Sequence, residues 1–417
     1  MITFAAPLKA RTLETIMTRP PLARAHTRRQ VLGVGGSLLL GNPGLALAQS
    51  GDSFKIGSAR AMTGLVASSF APLYVGVKIA VDEINAAGGI LGRKLDIVEA
   101  DDESSPAKEP AVMRRLLDGG AQAILGPVGS SHTLSAVATT TASKIIHAGG
   151  GWTEELADGR KYPYHYPFTY NTGHQGEAIA RHIVNNLKLK KVGILQENSA
   201  LGEAGGAATT RALKRLGIEP VAVETYPVTA TDLKVYLTKI RSAGADALVL
   251  WNSPAQGVLL TAAGLQALKY FPALLGGNSM FSNTVLDNAA PEVLKLASAT
   301  LLKTMTYSAT EPVGPRQVAH AKKVLTYPEA KTWEINAAIS PFYDFLHLLK
   351  KVVEADKVFD TERVRQAFDA VKGYDAMIGR ISFSPDNHCA LTGDQMVMAT
   401  LSSGRDPRSL GVFRERA

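Results

Sequence analysis

The sequence predicts an α/β protein made of two doubly wound lobes, each with a parallel sheet. Short apolar runs at 123–125, 192–195 and 247–250 are typical of buried parallel strands. Helical patterns alternate with these runs, and such alternation places helices on both faces of a sheet. The chain of 417 residues is also longer than one hydrophobic core usually serves, so two lobes are expected. The helical patterns cover residues 106–118, 131–144, 175–187, 201–216, 232–243, 254–268 and 333–354.

The first 48 residues have the pattern of a cleavable export signal. Arg28 and Arg29 precede an apolar stretch that glycine and proline interrupt, and this stretch is shorter than the roughly 20 residues that span a bilayer. Ala46 and Ala48 place small residues where a signal peptidase reads, so we expect cleavage after Ala48 and a periplasmic protein. The paired arginines favour the twin-arginine route, with the Sec route as the alternative. Met17 is an alternative start.

Removal of this segment changes the charge balance. The whole chain carries a formal net charge of +8, and residues 1–48 hold six Lys/Arg against one Asp/Glu, so +3 remains on the other 369 residues. No basic stripe with interleaved aromatic residues is left, and nucleic acid is therefore not an expected partner. Cys389 is the single cysteine, so an internal disulfide is impossible.

The stretch 78–106 predicts a helix, a glycine stop, a tight turn and a strand. Apolar residues between 77 and 84 recur at i, i+3, i+4 and i+7, which is one face of a helix. Gly88-Gly89 then end the helix, because glycine adopts the left-handed conformation without a Cβ penalty. An alternating strand follows and leads into Asp101-Asp102.

Asn85, Gly88-Gly89, Gly92 and Asp101-Asp102, in this order, resemble the leucine/isoleucine/valine-binding family of periplasmic solute receptors, and the resemblance covers residues 54–383. It implies the type I periplasmic binding protein fold, in which three crossing strands join the lobes. The implied first lobe is 52–171 plus 307–379, and the second is 172–306 plus 380–417. The resemblance also implies a monomeric receptor without a cofactor, which closes on a small solute and delivers it to ABC permease subunits in the inner membrane.

Two loops predict an anion site at the carboxyl edge of the first sheet, where function lies in such folds. A strand ends near Gly126, and Ser130 or Ser131 is then predicted as the N-cap of a helix whose N–H groups and dipole attract anions. The alternative is that both serines only cap the helix. One βα unit later, Gly151 and Thr153 follow the next strand, so both loops open on the same edge. The resemblance implies that Ser130, Gly151 and Thr153 contact a ligand carboxylate.

The second lobe departs from the amino-acid receptors of this family. The resemblance implies a glutamate for the ligand ammonium where this chain has Asn278, and an aromatic hydroxyl where it has Leu201. A buried ammonium without a carboxylate partner costs several kcal/mol. We therefore expect an aromatic or aliphatic organic acid rather than an α-amino acid. A shift of one or two residues in the alignment would remove this argument and leave a true amino-acid receptor.

Aromatic and amide side chains near strand ends complete the predicted pocket. Trp152 has a core or hinge position as its alternative, and each asparagine is as easily explained by a turn. These further candidates are Phe70, Trp152, Tyr170, Trp251, Asn252 and Asn336.

The sequence gives no motif that calls for catalysis. The glycine-rich run 33–36 lies in the export segment, no P-loop or H-E-x-x-H occurs, and 277–281 lacks the closing glycine of a nucleophile elbow. His132, His147, His165 and His174 lack metal-site spacing, so surface or loop positions are expected for them. We expect a receptor that is not an enzyme. A sensor of the same fold that feeds a regulator is the alternative.

Overall fold

A computed structural model describes residues 53–332 and 334–417. The export segment 1–48, with Arg28, Arg29 and the expected cleavage after Ala48, lies outside the described residues, as does Trp333. The strands are β1 Phe54–Arg60, β2 Leu95–Asp101, β3 Ala123–Val128, β4 His147–Gly150, β5 Val192–Glu197, β6 Ala222–Tyr226, β7 Ala247–Trp251, β8 Ala273–Gly276, β9 Ala297–Leu302, β10 Thr306–Tyr307, β11 Tyr374–Asp375, β12 Arg380–Ile381, β13 Met396–Thr400 and β14 Arg414–Glu415.

The α-helices alternate with these strands along most of the chain. A π-helical turn at His182–Leu187 extends α5. The helices are α1 Ala67–Phe70, α2 Val75–Ala86, α3 Glu109–Asp118, α4 Ser130–Ala142, α5 Thr172–Arg181, α6 Ala200–Arg215, α7 Lys234–Ser242, α8 Ala255–Ala267, α9 Asn283–Asn288, α10 Pro291–Leu294, α11 Pro315–Val324, α12 Glu334–Ala338, α13 Pro341–Asp356 and α14 Thr361–Asp369.

The first sheet has four parallel strands in the order β2-β1-β3-β4. Its two faces are both covered, as parallel sheets require. Ile56 and Leu125 point to the core under α2 and α13, and Ala59 and Ile124 point to the core under α3 and α4. Because strands β1, β3 and β4 run in the same direction, the loops after them open on one edge of the sheet.

The second sheet has six strands in the order β13-β9-β8-β7-β5-β6, and β13 alone runs antiparallel to its neighbour. All residues of β7 are buried, in agreement with the continuous apolar run that predicted a strand there. Helices α5 and α6 cover one face of this sheet, and α7 and α8 cover the other. The two sheets are therefore each doubly wound.

The chain passes between the two sheets three times. It leaves β4 for α5 through Asn171, and it leaves β9 for α11 through β10, which pairs with β14. The third passage differs from the expected position near 379–380, because Phe383 and His388 still pack on Tyr166 beside the first sheet. The chain joins the second sheet only at Met396. We keep the division into lobes as a proposal and place its third boundary near 392–395.

The helix expected over 333–354 is wrong as a single element, because α12 ends at Ala338 and α13 begins at Pro341. Proline has no N–H to donate, and the residue before it is biased away from the helical region. Ser340 accordingly has ψ of 120°. The helix expected from 175 starts earlier, at Thr172, because the Asn171 side chain accepts a hydrogen bond from the His174 N–H at 3.0 Å.

The glycine stop after α2 is present as predicted. Gly88 and Gly89 have φ of +91° and +78°, and a Cβ on Gly89 would come within 1.9 Å of the Arg93 carbonyl oxygen. Asn85 holds the following turn, because its Oδ1 accepts a hydrogen bond from the Leu95 N–H and its Nδ2 donates to the Leu95 carbonyl. The side chain thus fixes the entry into β2.

Surface or loop positions were expected for the histidines, and this expectation is wrong for His132 and His147, whereas His165 lies in a loop but is buried. His132 lies in the first turn of α4, and His147 and His165 have no exposed surface. His147 lies between the Gly126 carbonyl oxygen, at 2.7 Å from Nε2, and the Thr140 hydroxyl, at 3.0 Å from Nδ1. A histidine can be buried beside a parallel sheet when its ring nitrogens have hydrogen-bond partners, as those of His147 have.

Candidate ligand-binding cleft

The carboxyl edges of the two sheets face each other and are in direct contact. The Ala200 N–H at the start of α6 donates a hydrogen bond to the Ser131 Oγ at 3.2 Å. Arg211 of α6 forms an ion pair with Glu154, which follows β4. These contacts join the loop edge of the first sheet to that of the second and define a cleft between them.

A cavity of about 200 Å³ lies in this cleft and takes its walls from both sheets. This is smaller than the about 300–1,000 Å³ of clefts for drug-sized ligands, so the cavity suits a small solute. Its walls combine an apolar part with hydroxyl, imidazole and carboxyl groups. The lining residues are Leu65, Val66, Phe70, Ser104, Pro106, Gly129, Ser130, Ser131, His132, Glu197, Asn198, Ser199, Leu201, Val228, Ser253 and Pro254.

The first turn of α4 forms the wall on the first sheet. Gly129 precedes this helix with φ of +106°, a conformation that other residues rarely adopt. A Cβ at Gly129 would lie 3.0 Å from His132 Nδ1 and 3.2 Å from the Phe70 ring. Glycine therefore lets the helix start directly after β3, with its N-terminus against the cavity.

The expected N-cap role of Ser130 or Ser131 is wrong, because α4 already includes both residues and no side chain among the described residues caps its first turn. The Ser130 Oγ instead accepts a hydrogen bond from the Trp152 N–H at 3.0 Å, and the Ser131 hydroxyl reaches Ala200. The first N–H groups of a helix have no partner within the helix. They remain available to an acceptor from outside, with the positive end of the helix dipole behind them.

The loop after β4 lies beside this helix turn. Gly151 is buried, and a Cβ there would come within 2.2 Å of Leu156. Thr153 is also buried, and its hydroxyl has no hydrogen-bond partner among the described residues. Neither residue lines the cavity, although both flank Trp152, whose backbone is hydrogen-bonded to Ser130.

Glu197 forms the polar wall on the second sheet, at the end of β5. Its Oε1 accepts hydrogen bonds from the Ser199 hydroxyl at 2.7 Å, the Ser253 hydroxyl at 2.8 Å and the Ser253 N–H at 3.0 Å. Oε2 is buried and has no hydrogen-bond partner among the described residues. Burial raises the pKa of Glu197, and the bonds from the two serines oppose this rise. One carboxylate oxygen is thus left for a donor from the ligand.

A smaller cavity of about 30 Å³ continues the cleft on the Trp152 side. Leu201 is 8% exposed and, with Phe70, lines both cavities. Asn278 also lines the smaller one, and its N–H donates to Gln175 Oε1 at 3.4 Å. The structure therefore brings six of the ten predicted site residues to the cleft, and these are Phe70, Ser130, Ser131, Trp152, Leu201 and Asn278.

Three further candidates, Asn252, Trp251 and Tyr170, lie away from both cavities. Asn252 is fully buried in the turn after β7, where its Nδ2 donates to the Pro254 carbonyl oxygen at 2.6 Å. Trp251 packs its ring on Gly205 and donates from Nε1 to the Thr209 hydroxyl, so it belongs to the core under α6. Tyr170 is buried and lines neither cavity. Asn336 belongs to α12, and its side chain lies outside the described residues.

The sequence reasoning missed Glu197, Ser199 and Ser253. Glu197 is the last residue of β5, Ser199 lies two residues beyond it, and Ser253 lies two residues beyond the end of β7, so all three are at the edge where ligands bind in such sheets. The resemblance instead directed the expectation of an acidic contact to position 278, where this chain has Asn278. An acid at the end of the apolar run 192–195 was a usable signal.

A larger cavity of about 340 Å³ lies among the short strands that connect the lobes. Its charged side chains include Arg380, Asp375 and Arg416, and Arg416 forms an ion pair with Glu311. Helix α11 starts at this cavity, with Gly314 and Gln317 in its wall, but none of the lining residues comes from a loop that follows a strand of the first sheet. We therefore place the candidate ligand site in the cleft, where the strands of both sheets end.

Two doubly wound sheets that close their loop edges over a small polar cavity define a two-lobed receptor for a small molecule. The sequence signature of the family described as "Periplasmic binding protein" matches residues 53–406, and the chain belongs to this family. This confirms the predicted family and the type I fold. Membership implies an exported, periplasmic protein of a class that typically transports and does not catalyse. No described helix combines the length and apolar character needed to cross a bilayer.

Named relatives agree with this assignment. The chain is 33% identical over 220 residues to "Amino acid binding protein" of Pseudomonas aeruginosa. The match covers 52% of this chain and 58% of that relative, so this chain spans little more than half the length of that relative. It is 25% identical over 334 residues to "Leu/Ile/Val-binding protein homolog 3" of Brucella melitensis, covering 79% of this chain and 86% of the relative.

Solved structures share the fold. The branched-chain amino acid transporter substrate-binding protein LivJ of Streptococcus pneumoniae, in complex with isoleucine, has a TM-score of 0.72 and 21% identity, over 88% of this chain and 99% of that one. A solute-binding protein of an ABC transporter from Rhodopseudomonas palustris, in complex with p-hydroxybenzoic acid, has a TM-score of 0.73 and 18% identity, over 88% of this chain and 96% of that one.

Proposed function

We propose that this protein is the periplasmic substrate-binding component of an ABC importer and that it binds a small carboxylate. The family supports the general part, since its members bind small molecules and work with ABC permeases. One observation above all supports the carboxylate: within the part of the chain that the structure describes, no side chain caps the first turn of α4, and this turn lines the cleft cavity. Unpaired N–H groups and the helix dipole together favour an anion at that position.

We favour an organic or aromatic acid over an α-amino acid as the ligand. Phe70 and Leu201 give the cavity an apolar middle between the turn of α4 and the Glu197 carboxyl group. Asn278 and Leu201 carry no charge that could hold an ammonium. A hydroxyl on the ligand would satisfy the unpartnered Oε2 of Glu197, and a neutral donor avoids the cost of burying a second charge.

A true amino-acid receptor is the second candidate, and Glu197 is the observation that favours it. A buried carboxylate with one unpartnered oxygen is also a suitable partner for a ligand ammonium. The argument from the missing acid at Asn278 is weaker for this reason. The two solved structures hold isoleucine and p-hydroxybenzoic acid, and both ligands carry a carboxylate. Since those chains share only the fold with this one, their ligands define the panels of the test.

The proposed mechanism is hinge closure. A ligand carboxylate binds to α4 on the first lobe, and the second lobe then brings Glu197 and Leu201 over the rest of the ligand. The three passages between the sheets act as the hinge. Closure presents the outer faces of both lobes to the permease subunits. We expect the receptor to be a monomer. Size-exclusion chromatography with light scattering would measure its oligomeric state.

A thermal-shift screen of the mature protein tests this function. The panels are acids with a hydroxyl and no amine, the same acids without the hydroxyl, and α-amino acids. A ligand at about 100 times its Kd adds about 2.7 kcal/mol to the folded state, a shift of several degrees. A shift with the hydroxylated acids alone supports the favoured ligand. A shift with amino acids alone supports the second candidate, and no shift with any carboxylate refutes the proposed anion site.

A further inference from the structure

Three buried side chains outside the proposed receptor mechanism meet beneath the first turn of α4. Asp102 follows β2, Glu109 begins α3 and His132 lies on α4. One carboxylate oxygen of each acid and one ring nitrogen of His132 all lie within 4.8 Å of one another. The three residues are 1%, 0% and 8% exposed. Asp102 and Glu109 are 7 residues apart and Glu109 and His132 are 23 residues apart, so no short sequence motif predicts the cluster.

The two carboxyl groups lie side by side in the interior. No lysine or arginine of the described residues forms an ion pair with Asp102 or Glu109, and the imidazole of His132 lies beside both carboxyl groups. Two buried carboxyl groups in contact must share either a proton or a cation.

Some polar atoms of the cluster lack hydrogen-bond partners among the described residues, and a metal ion would give these atoms a partner. Apart from the contact with Asp102, neither carboxylate oxygen of Glu109 has a hydrogen-bond partner among the described residues, and Nε2 of His132 has none there either. The other parts of the cluster are held in place: the Ser104 N–H donates to Asp102 Oδ1 at 2.7 Å, and the Ser104 backbone hydrogen-bonds to the His132 ring. Backbone groups commonly orient metal-ligating side chains in this way.

We propose that Asp102, Glu109 and His132 bind a divalent transition-metal ion, with Zn²⁺ or Mn²⁺ as the chemical class. Carboxylate oxygens and imidazole nitrogens are both ligands of Zn²⁺, and three protein ligands leave a fourth position for water. The imidazole favours Zn²⁺ over Mg²⁺ and Ca²⁺, which prefer oxygen ligands throughout, and the two carboxylates also suit Mn²⁺. One divalent cation would balance both carboxylates.

The position of the site gives the ion a structural consequence. It would link the connection between β2 and α3 to α4, and Ser104 and His132 also line the cleft cavity. The ion would therefore fix the helix turn that faces the ligand. The proposal itself does not depend on which solute binds, since the ion contacts only residues of the first lobe.

The test is a metal titration of the mature chain without a tag and without added solute. The protein is treated with a chelator, dialysed and titrated with ZnCl2, MnCl2 and MgCl2 by calorimetry, and its Tm is recorded. We expect one equivalent of Zn²⁺ or Mn²⁺ with a micromolar or lower Kd, no binding of Mg²⁺, and a rise in Tm of about 4 °C at 100 times the Kd.

Two variants locate the ion. Glu109→Gln keeps the side-chain volume, so the fold is retained, and we expect at least a tenfold loss of metal affinity. Glu203→Gln, an exposed acid on α6, is the matched control and should bind as the wild type does. Equal binding by the wild type and Glu109→Gln would place the ion elsewhere and overturn the assignment. Absence of binding by the wild type would leave a shared proton as the explanation of the cluster. An anomalous difference peak between the three side chains in a crystal soaked with the ion is the direct confirmation.

Discussion

Replacement of Glu197 by glutamine tests which group of the ligand faces the second lobe. Glutamine keeps the volume of the side chain and one oxygen, which can still accept the hydrogen bonds of Ser199 and Ser253. It exchanges the unpartnered Oε2 for an NH2 group and removes the negative charge. The effect on binding therefore depends on whether the ligand presents a hydrogen-bond donor at this end.

The size of the effect follows from the cavity. A volume of about 200 Å³ corresponds to a sphere roughly 7 Å across, so a carboxylate at α4 and the Glu197 carboxylate repel each other by about 2 kcal/mol at an effective dielectric constant near 20. For an acid without a donor, Glu197→Gln should tighten binding by about 30-fold. For its hydroxylated analogue, a lost bond to a charged acceptor costs about 1.5–3 kcal/mol and cancels this gain.

For an α-amino acid, loss of the buried partner of the ammonium should cost about 2–5 kcal/mol. The ratio of the two Kd values of a hydroxylated acid and its deoxy analogue is then the decisive quantity. We expect Glu197→Gln to change this ratio by about 10- to 150-fold in favour of the analogue without the hydroxyl.

Isothermal titration calorimetry measures these Kd values for the wild type, Glu197→Gln and the exposed control Glu203→Gln. The titrations belong at pH 8, because burial raises the pKa of Glu197 and the carboxylate must be charged. The control should match the wild type with every ligand. If Glu197→Gln changes the Kd of both acids by the same factor, Glu197 does not contact the far end of the ligand, and the reasoning is refuted.

Three further substitutions probe the cleft and the core. Ser131→Ala removes the acceptor of the Ala200 N–H between the lobes. Closure is then weaker, so the Kd of the ligand should rise by about 2- to 12-fold, and small-angle X-ray scattering should show a larger open fraction. An unchanged Kd would contradict this role of Ser131. Gly129→Ala forces a Cβ against Phe70 at φ +106°, and should lower the free energy of unfolding by about 1–3 kcal/mol in a denaturant titration, where a neutral effect contradicts the assigned turn. Burial lowers the pKa of His147 to about 4, whereas the pKa in the unfolded chain is about 6.5. As the pH falls below about 6.5, the unfolded chain therefore takes up this proton before the folded chain does. The stability that is present above that pH is lost as the pH falls to about 4, and the loss is about 2 kcal/mol at pH 5. His147→Gln should flatten the dependence of unfolding free energy on pH by this amount, and an identical slope would contradict it.

Most of the fold and part of the cleft could be predicted from the sequence. Alternating apolar strands and amphipathic helices determine a doubly wound sheet almost uniquely, because only such layers bury both faces of a parallel sheet. Gly88 and Gly89 ended α2 as expected, since steric restriction of the backbone is a local property. The break at Pro341 was equally local, and the helical periodicity on both sides of it concealed it.

The content of the cleft depends on tertiary contacts that no local pattern encodes. Ser130 and Ser131 had the composition of helix caps, but Gly129 takes the preceding position, and the two hydroxyls reach Trp152 and Ala200 instead. The meeting of Asp102 with His132 likewise depends on how α3 and α4 pack. Residues at the ends of different strands can be predicted to share an edge, but their mutual distances are set by the packing of the whole lobe.

The contacts across the cleft also decide what kind of ligand can close the receptor. The bond between Ser131 and Ala200 contributes about 0.5–1.5 kcal/mol, whereas a shift from 1% to 99% closed needs about 5.5 kcal/mol of preferential binding to the closed state. The proposed anion site at α4 belongs to one lobe, so we expect it to bind a carboxylate equally well before and after closure and to supply none of this preference. The preference must come from Glu197 and Leu201, on the other lobe. An acid too short to reach them, such as acetate, should therefore occupy the site without closing the receptor, and only a ligand that spans the cavity should produce the form that the permease recognises.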